Sequence, residues 1–581
     1  MTFMKFTSSR LASRGRSLRR VVLALVAVLP ALAFAMAGDA QDPVMRAMRD
    51  ELARSMAQLQ LENLEKPYFI SYRVQEARSQ SVAAQFGSAL GRNESRNRIV
   101  VIEVRVGSPA LDNTNFQAAG FGSGPIGANL PMDDDYDAIR RQLWLTTDRA
   151  YKQSVELLSK KKAVLQNKTR TEVLPDFSAQ PPSTLTDLNP GAPIDLAQAE
   201  TLARELSAVF RESPGVATSS VRIGATEETT RYVNSEGSSF VRSSFLVTLR
   251  ASAATQADDG FPLDDHTFTV ARSWATLPPK ADLLASVRDL GRRVTAQRTA
   301  SLLEQYNGPV LFEGQAAAEI FAQVIAPNFS ARPRPVLETS GRGGRGGGGG
   351  GPAENPFLDK LGARVLPDFF TVIDDPTLTS LNGAPLFGEN RVDDEGVPTR
   401  PVTLVEKGRL KTLLASRAPV RGVPRSTGSM QDGTPVPSNL IVTAADGLDA
   451  AALKAELLKL LEQRGKDYGV IVRRLANSSL GSGASPSGRG NSRAESVLVA
   501  VKVFPDGREE PLRNIEVAGI DPPSFKDILV AGREPFISTV PFQGVICSFA
   551  VPSLLFEDLT LKKPSGEIGK PPIAKHPFFD R

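Results

Sequence analysis

The chain has 581 residues, with 69 Lys and Arg against 64 Asp and Glu, 2 His and 1 Cys. At ordinary domain size that length makes about two to four domains, and 41% hydrophobic with 23% charged residues is the composition of a folded protein. Two His and one Cys leave almost no material for a His- or Cys-rich zinc centre, and a lone Cys excludes an intrachain disulfide.

The basic excess belongs to the N-terminus. Residues 1–37 contain Lys5, Arg10, Arg14, Arg16, Arg19 and Arg20 and no acid, so without them the balance is 63 basic against 64 acidic. The electrostatic case for a nucleic-acid partner therefore fails. Residues 21–37 form an uncharged apolar run of 17, followed by small residues. This is the layout of a secretory signal peptide over 1–37, which predicts an exported chain, periplasmic or secreted. The run is short for a span of roughly 20 residues and Pro30 interrupts it. Cleavage is expected, with no membrane span afterwards.

In chain order, Met45, Met48, Leu52, Met56 and Leu59 recur at helical spacing over 43–64, a stripe expected to be core. Residues 68–76 and 98–106 read as β-strands, and 80–90 as a third between them. Asp133, Asp134 and Asp135 precede a long helix over 137–164, where acids complement the helix dipole; Lys160, Lys161 and Lys162 do the same at its other end. Ser159 and Lys162 spell S-x-x-K, a pattern expected once by chance. Residues 175–193 are a Pro/Ser/Thr-rich connector. A second helix follows over 195–212, then paired strands over 216–254 turning at Asn234-Ser235-Glu236-Gly237. A third helix is expected over 281–306. Beyond Gly308 come strands with Gly/Pro turns, a helix over 450–463 and a strand-rich end. The division is thus a signal peptide 1–37, an N-terminal α+β region 43–190, a middle strand/helix region 191–307 and a C-terminal domain 308–575. Flexible loops are expected at 341–351 (GRGGRGGGGGG) and 477–493. The fold class is α+β.

Little in the chain resembles familiar catalytic machinery. His266 follows Asp264-Asp265, His576 lies near the C-terminus, and no G-x-S-x-G elbow accompanies either. Cys547 sits in a strand-like apolar run and reads as an inert buried thiol. The acids Asp374-Asp375 and Asp393-Asp394-Glu395 flank Pro or Gly, where they serve turns more readily than a Ca²⁺ or Mg²⁺ site.

A set of ordered segments carries a family resemblance. These are Asp374-Asp375-Pro376-Thr377, Asp393-Asp394-Glu395-Gly396-Val397-Pro398-Thr399-Arg400, Leu404-Val405-Glu406-Lys407-Gly408-Arg409-Leu410, Ser426-Thr427-Gly428 and Pro437-Ser438-Asn439-Leu440. Together they resemble the C-terminal domain of the TldD/PmbA family, the modulators of DNA gyrase. Residues 550–559 (AVPSLLFEDL) and 143–152 (LWLTTDRAYK) resemble its exported branch. The resemblance implies a metallopeptidase fold whose TldD-type members carry H-E-x-x-x-H on a helix, two His binding zinc and Glu activating water. Placed on that motif, the first His becomes Ala322, the Glu becomes Gln323 and the second His becomes Pro327. Ala322 has no donor atom, Gln323 cannot take a proton as a carboxylate can, and Pro327 offers no ligand and is expected to end the helix. No catalytic, metal or cofactor residue is assigned. PmbA (TldE)-type subunits of the family also lack the motif and pair with a TldD-type subunit to cleave unfolded peptides. The resemblance therefore implies a non-catalytic subunit in a homo- or heterodimer, acting on peptide or unfolded protein in the cell envelope. Two alternatives stand beside it: a working peptidase with relocated ligands such as Glu319 and the Asp pairs, and a homo-oligomeric envelope protein without catalysis.

Overall fold

Between Pro67 and Ser108 the chain runs as one long hairpin, β1 (Pro67–Gln85) and β2 (Ser88–Ser108), closed by Phe86-Gly87 with both residues at positive φ. That is the type I′ geometry whose twist matches the strands. The computed structural model describes residues 42–118, 124–166, 174–338, 355–477, 496–564, 570 and 574. The leader 1–37, the Gly-rich loop 341–351, residues 478–493 of the second loop and His576 lie outside the described residues. The separate strand expected over 80–90 is instead the tip of the hairpin. Phe-Gly is not one of the usual turn dipeptides, so the turn was not legible.

The hairpin belongs to an eight-stranded sheet. β1 pairs antiparallel with β4 (Thr218–Asn234), and β4 with β5 (Ser239–Gln256). On β5 lie β3 (Thr184–Leu188), drawn from the connector, and β6 (Pro262–Ala271). Residues of both regions distinguished in the sequence, 43–190 and 191–307, thus share one sheet.

Four helices cover one face of this sheet. Helix α1 (Pro43–Gln58) starts at Asp42, whose carboxylate accepts the Val44 and Met45 N–H groups. The Met stripe is core, with Met45 and Met48 at 1% and 0% exposure. Beside α1 packs α2 (Tyr136–Gln166), with Asp135 bonding the Ala138 N–H. α3 (Leu196–Ala208) and α4 (Lys280–Gln297) cover the other end of the face. The third helix ends at Gln297, not 306, because Ser301 and Leu302 and then residues from Gln305 enter the C-terminal sheet.

That second sheet has twelve strands. At its centre β7 (Gln305–Phe312) pairs parallel with β11 (Gly469–Leu475) and antiparallel with the long β15 (Val545–Lys562). Then come β10 (Asn439–Ala444), β8 (Phe370–Asp374) and β9 (Val402–Glu406) on one side, and β12 (Ser496–Val503) and β13 (Glu509–Arg513) on the other. β14 (Ile528–Phe542) pairs with β15. The sheet is covered on both faces, because successive residues of β7 and β11 point to opposite sides and are buried one after another. Val310 and Phe312 join the main core, while Leu311 joins Leu457 and Leu461 of α6 (Ala450–Gln463). On the main-core face lies a short helical run that starts with α5 (Gln315–Ile320).

Candidate functional site: the altered motif helix

The run begins at Gly314, whose φ of +51° turns the chain off β7 and whose N–H donates to Ser553 Oγ at 2.9 Å. Ala316, Ala317 and Ala318 are fully buried. Three successive small side chains let the helix backbone lie close on the sheet.

The helix does not stay α. Residues Phe321–Ile325 form a π turn and Ala326–Phe329 a 3-10 turn, after which Ser330 is extended. Pro327 accounts for the change. It has no N–H to give the carbonyl of Gln323, and its ring would strike that carbonyl in an α-helix. The backbone widens ahead of it, with the Ala326 N–H bonding the Phe321 carbonyl five residues back. The Asn328 side chain donates to the Val324 carbonyl at 2.7 Å. The helical path therefore runs two residues past Pro327, to Phe329.

Ala322, Gln323 and Pro327 all fall on this π and 3-10 stretch. Ala322 is 4% exposed, and Gln323 donates from Nε2 to the Ala476 carbonyl at 3.0 Å. One turn earlier Glu319 is buried; it accepts the Leu475 N–H at 2.7 Å and Gln315 Nε2 at 2.7 Å. Both polar side chains are thus spent tying the helix to the end of β11. Burial raises the Glu319 carboxyl to about 7, against the pull of Arg474 and the hydrogen bonds.

Arg474 is the joint of the site. Its guanidinium donates to Gln315 Oε1 at 2.8 Å and to the His266 carbonyl at 2.6 Å, and lies 3.0 Å from Asp265 Oδ1. It thereby fastens the helix to β6 of the N-terminal sheet. Asp265 also takes Arg293 Nε at 2.7 Å. His266 is 1% exposed and held neutral, its imidazole lowered to about 4 by burial and by the charges of Arg474, Arg250 and Arg293, which outweigh Asp265. Its Nδ1 has no hydrogen-bond partner among the described residues. The sequence signal for this joint was Arg473-Arg474 inside an otherwise apolar strand, and it was missed.

The acidic pairs lie elsewhere. Asp394 is bound by Arg73 of β1 and by Arg242 of β5, the latter at 2.5 Å, and accepts the Asp432 N–H. Asp393 accepts three backbone N–H groups, from Glu395, Val397 and Met430. Burial raises the carboxyls of both Asp393 and Glu395, and their mutual repulsion pushes Glu395 further up. Asp374 accepts the Ser438 N–H at 2.8 Å and is pushed up to about 8 by burial. These acids are occupied by turns and by arginines that join the two sheets. Among the described residues no three His, Cys, Asp or Glu side chains stand together as a metal would need. The donor set does not fit the zinc that the family motif implies.

Comparison with known proteins agrees with the architecture. Residues 305–563 match the PmbA/TldA metallopeptidase C-terminal domain. Over those residues the chain carries a C-terminal domain of the TldD/PmbA type. Three solved structures share the fold over nearly their whole length. TldE from Thermococcus kodakarensis has a TM-score of 0.55 at 16% identity, covering 89% of this chain and 99% of that one. A protein described as a modulator of a DNA gyrase from Thermotoga maritima gives 0.52 at 17%, covering 85% and 96%. One so described from Bacteroides thetaiotaomicron gives 0.55 at 13%, covering 90% and 98%. At these identities the likeness is one of fold. A metalloprotease from Methanocaldococcus jannaschii is 47% identical over 64 residues, which is 11% of this chain and 13% of that protein. The chain thus matches only a small part of that curated relative's length.

Proposed function

We propose that this chain is a non-catalytic TldD/PmbA-type subunit of the cell envelope, which binds peptide or completes the chamber of a peptidase partner. The observation that carries the reading is the motif helix. Where the family places two metal ligands and a base, this chain has a methyl group, an amide bonded to Ala476 and a proline that widens the helix. Zinc catalysis needs about three ligands, an open position and a carboxylate within reach. The carboxylate nearest in sequence, Glu319, is buried and engaged by Leu475 and Gln315. Envelope location rests on the secretory pattern of residues 1–37. No helix among the described residues is long and apolar enough to cross a membrane. A partner follows from the family, whose motif-less subunits act beside motif-bearing ones.

The test is metal analysis of the purified protein, with an unstructured-peptide cleavage assay on the same sample. The expected result is no stoichiometric metal and no cleavage by the chain alone, with cleavage appearing on addition of an exported family member that retains the motif. Stoichiometric metal with chelator-sensitive cleavage by the chain alone would overturn the reading.

A further inference from the structure

The covered face of the N-terminal sheet is apolar at both ends and charged in the middle. Near one end α1 and α2 pack on Ile70, Tyr72 and Val74 of β1 and on Val100, Ile102 and Val104 of β2. Near the other, α3 and α4 pack on Val82 and Ala84 of β1, Ile223 of β4 and Leu249 of β5. Strand alternation puts Glu76, Arg78 and Gln80 on this same face. Their neighbours are Arg98, Arg96 and Glu94 on β2, with Glu227 beside Arg78 on β4. Between the two helix pairs a groove of about 530 Å³ opens over these residues, with Pro193 and Phe245 also lining it. That is the size of a small-ligand site.

Salt bridging explains part of this charge. Arg98 is buried and clamps Glu76 and Asp134. Arg96 gives Nε and one Nη to Glu76 at 3.0 and 2.7 Å, which leaves part of its five-donor fork unused. Arg78 is different. Its side chain is 58% exposed and, among the described residues, pairs only with Glu76, at 3.5 Å. Glu227, its cross-strand neighbour, forms no ion pair among the described residues. A like-charged guanidinium pair and a free carboxylate therefore line one cavity without satisfying each other. Across four adjacent strands the row reads Arg96, Arg78, Glu227, Phe245, at about 4.8 Å per step.

We propose that this groove is a binding site for short peptides with free termini. The peptide carboxylate meets the guanidiniums of Arg78 and Arg96, a pairing suited to their planar donors. The peptide ammonium meets Glu227, one strand further on, and an apolar side chain lies against Phe245 and Pro193. The spacing of about 5–10 Å from the arginines to Glu227 and beyond fits a di- or tripeptide laid across the strands. The site is in the other sheet from the motif helix, so it stands or falls separately from the subunit role proposed above.

The experiment is calorimetric titration of the full-length protein with the dipeptide Ala-Leu, its N-acetyl derivative and its C-terminal amide. Saturable binding of Ala-Leu is expected, weakened at least tenfold by either blocking group. Arg78→Ala should remove the preference for the free carboxylate, and Glu227→Gln the preference for the free amine. Arg222→Ala, an exposed position on the opposite face of β4, should change nothing. Circular dichroism confirms that each variant is folded. The proposal is overturned by absence of saturable heat at millimolar dipeptide, by equal binding of the blocked peptides, or by binding that survives both groove variants.

Discussion

The guanidinium carbon of Arg417 lies 3.9 Å from the ring centroid of Phe177, and that of Arg105 lies 3.8 Å from the same centroid. Two guanidiniums at that distance cannot share a face, so the ring is held between them. Arg105 comes from β2 of the N-terminal sheet, whereas Arg417 comes from the C-terminal half. Arg417 is 1% exposed, donates to the Ser178 carbonyl at 2.8 and 3.1 Å and bridges to Glu236 at 2.6 Å. Removing it leaves a buried carbonyl unmet and one face of the ring uncovered. Arg417→Ala should cost about 3 kcal/mol, and Arg417→Lys roughly half that, because the ammonium keeps the charge but not the planar fork. Calorimetric melting of the variants checks this; an unchanged midpoint for the alanine variant would show that the sandwich holds nothing.

Lys161 makes a second buried contact of the same kind. It is fully buried and gives its ammonium to Asp176 at 2.6 Å and to the Asp112 and Thr114 carbonyls at 3.0 and 2.6 Å. Burial already raises Asp176 despite the lysine. Lys161→Met strands that carboxyl and should destabilise by roughly 3–5 kcal/mol. Adding Asp176→Leu should recover part of the loss. Thermal denaturation of the single and double variants decides it, and a double variant no better than the single would exclude the pair as the cause.

Lys161 also shows where reading the sequence runs out. In the sequence it is the middle of three lysines at a helix end, and the dipole accounts for all three. Only the tertiary fold brings Asp176, across the stretch after the helix, over that one ammonium. Elements with strong periodicity were legible: the Met stripe of α1, the long α2, the β4–β5 hairpin and α6 all follow their patterns. The chemistry of Ala322 and Pro327 was legible, since neither side chain has an atom to give a metal. The π turn was not, because one proline specifies a break and not its form. Nor was the arginine joint, whose partners are more than 150 residues apart in the chain. Ion pairs that join two sheets leave no periodic trace.

Cys547 should be silent to thiol reagents in the folded protein. It is fully buried, burial and the nearby Asp374 push its thiol far up, and it donates to the Pro437 carbonyl at 3.0 Å. The thiolate is the reactive form. A disulfide reagent such as Ellman's at pH 8 should label none of the native protein and one equivalent after denaturation. Prompt labelling of the native chain would contradict the burial of β15.

Glu319 makes the helical run that starts with α5 sensitive to pH, and the sign is definite. Its folded carboxyl titrates near 7 against an ordinary value of 4.5. Between those values the folded state holds a proton that the unfolded state has lost. Stability from this group is complete below about pH 4.5 and falls as pH rises through 7. His266 has the opposite slope: lowered from 6.5 to about 4, it costs stability as pH falls through that window. The two overlap in the native protein, so the wild-type curve alone does not separate them. Glu319→Gln does, because it fixes the neutral form and retains an acceptor for the Leu475 N–H. Its melting midpoint relative to wild type should climb from pH 5 to pH 8. The limit is roughly 3 kcal/mol, and the His266 slope remains in both proteins. A difference that stays flat across that range would mean that Glu319 is ionised in the folded chain at neutral pH. The buried contact with β11 would then be a charged one.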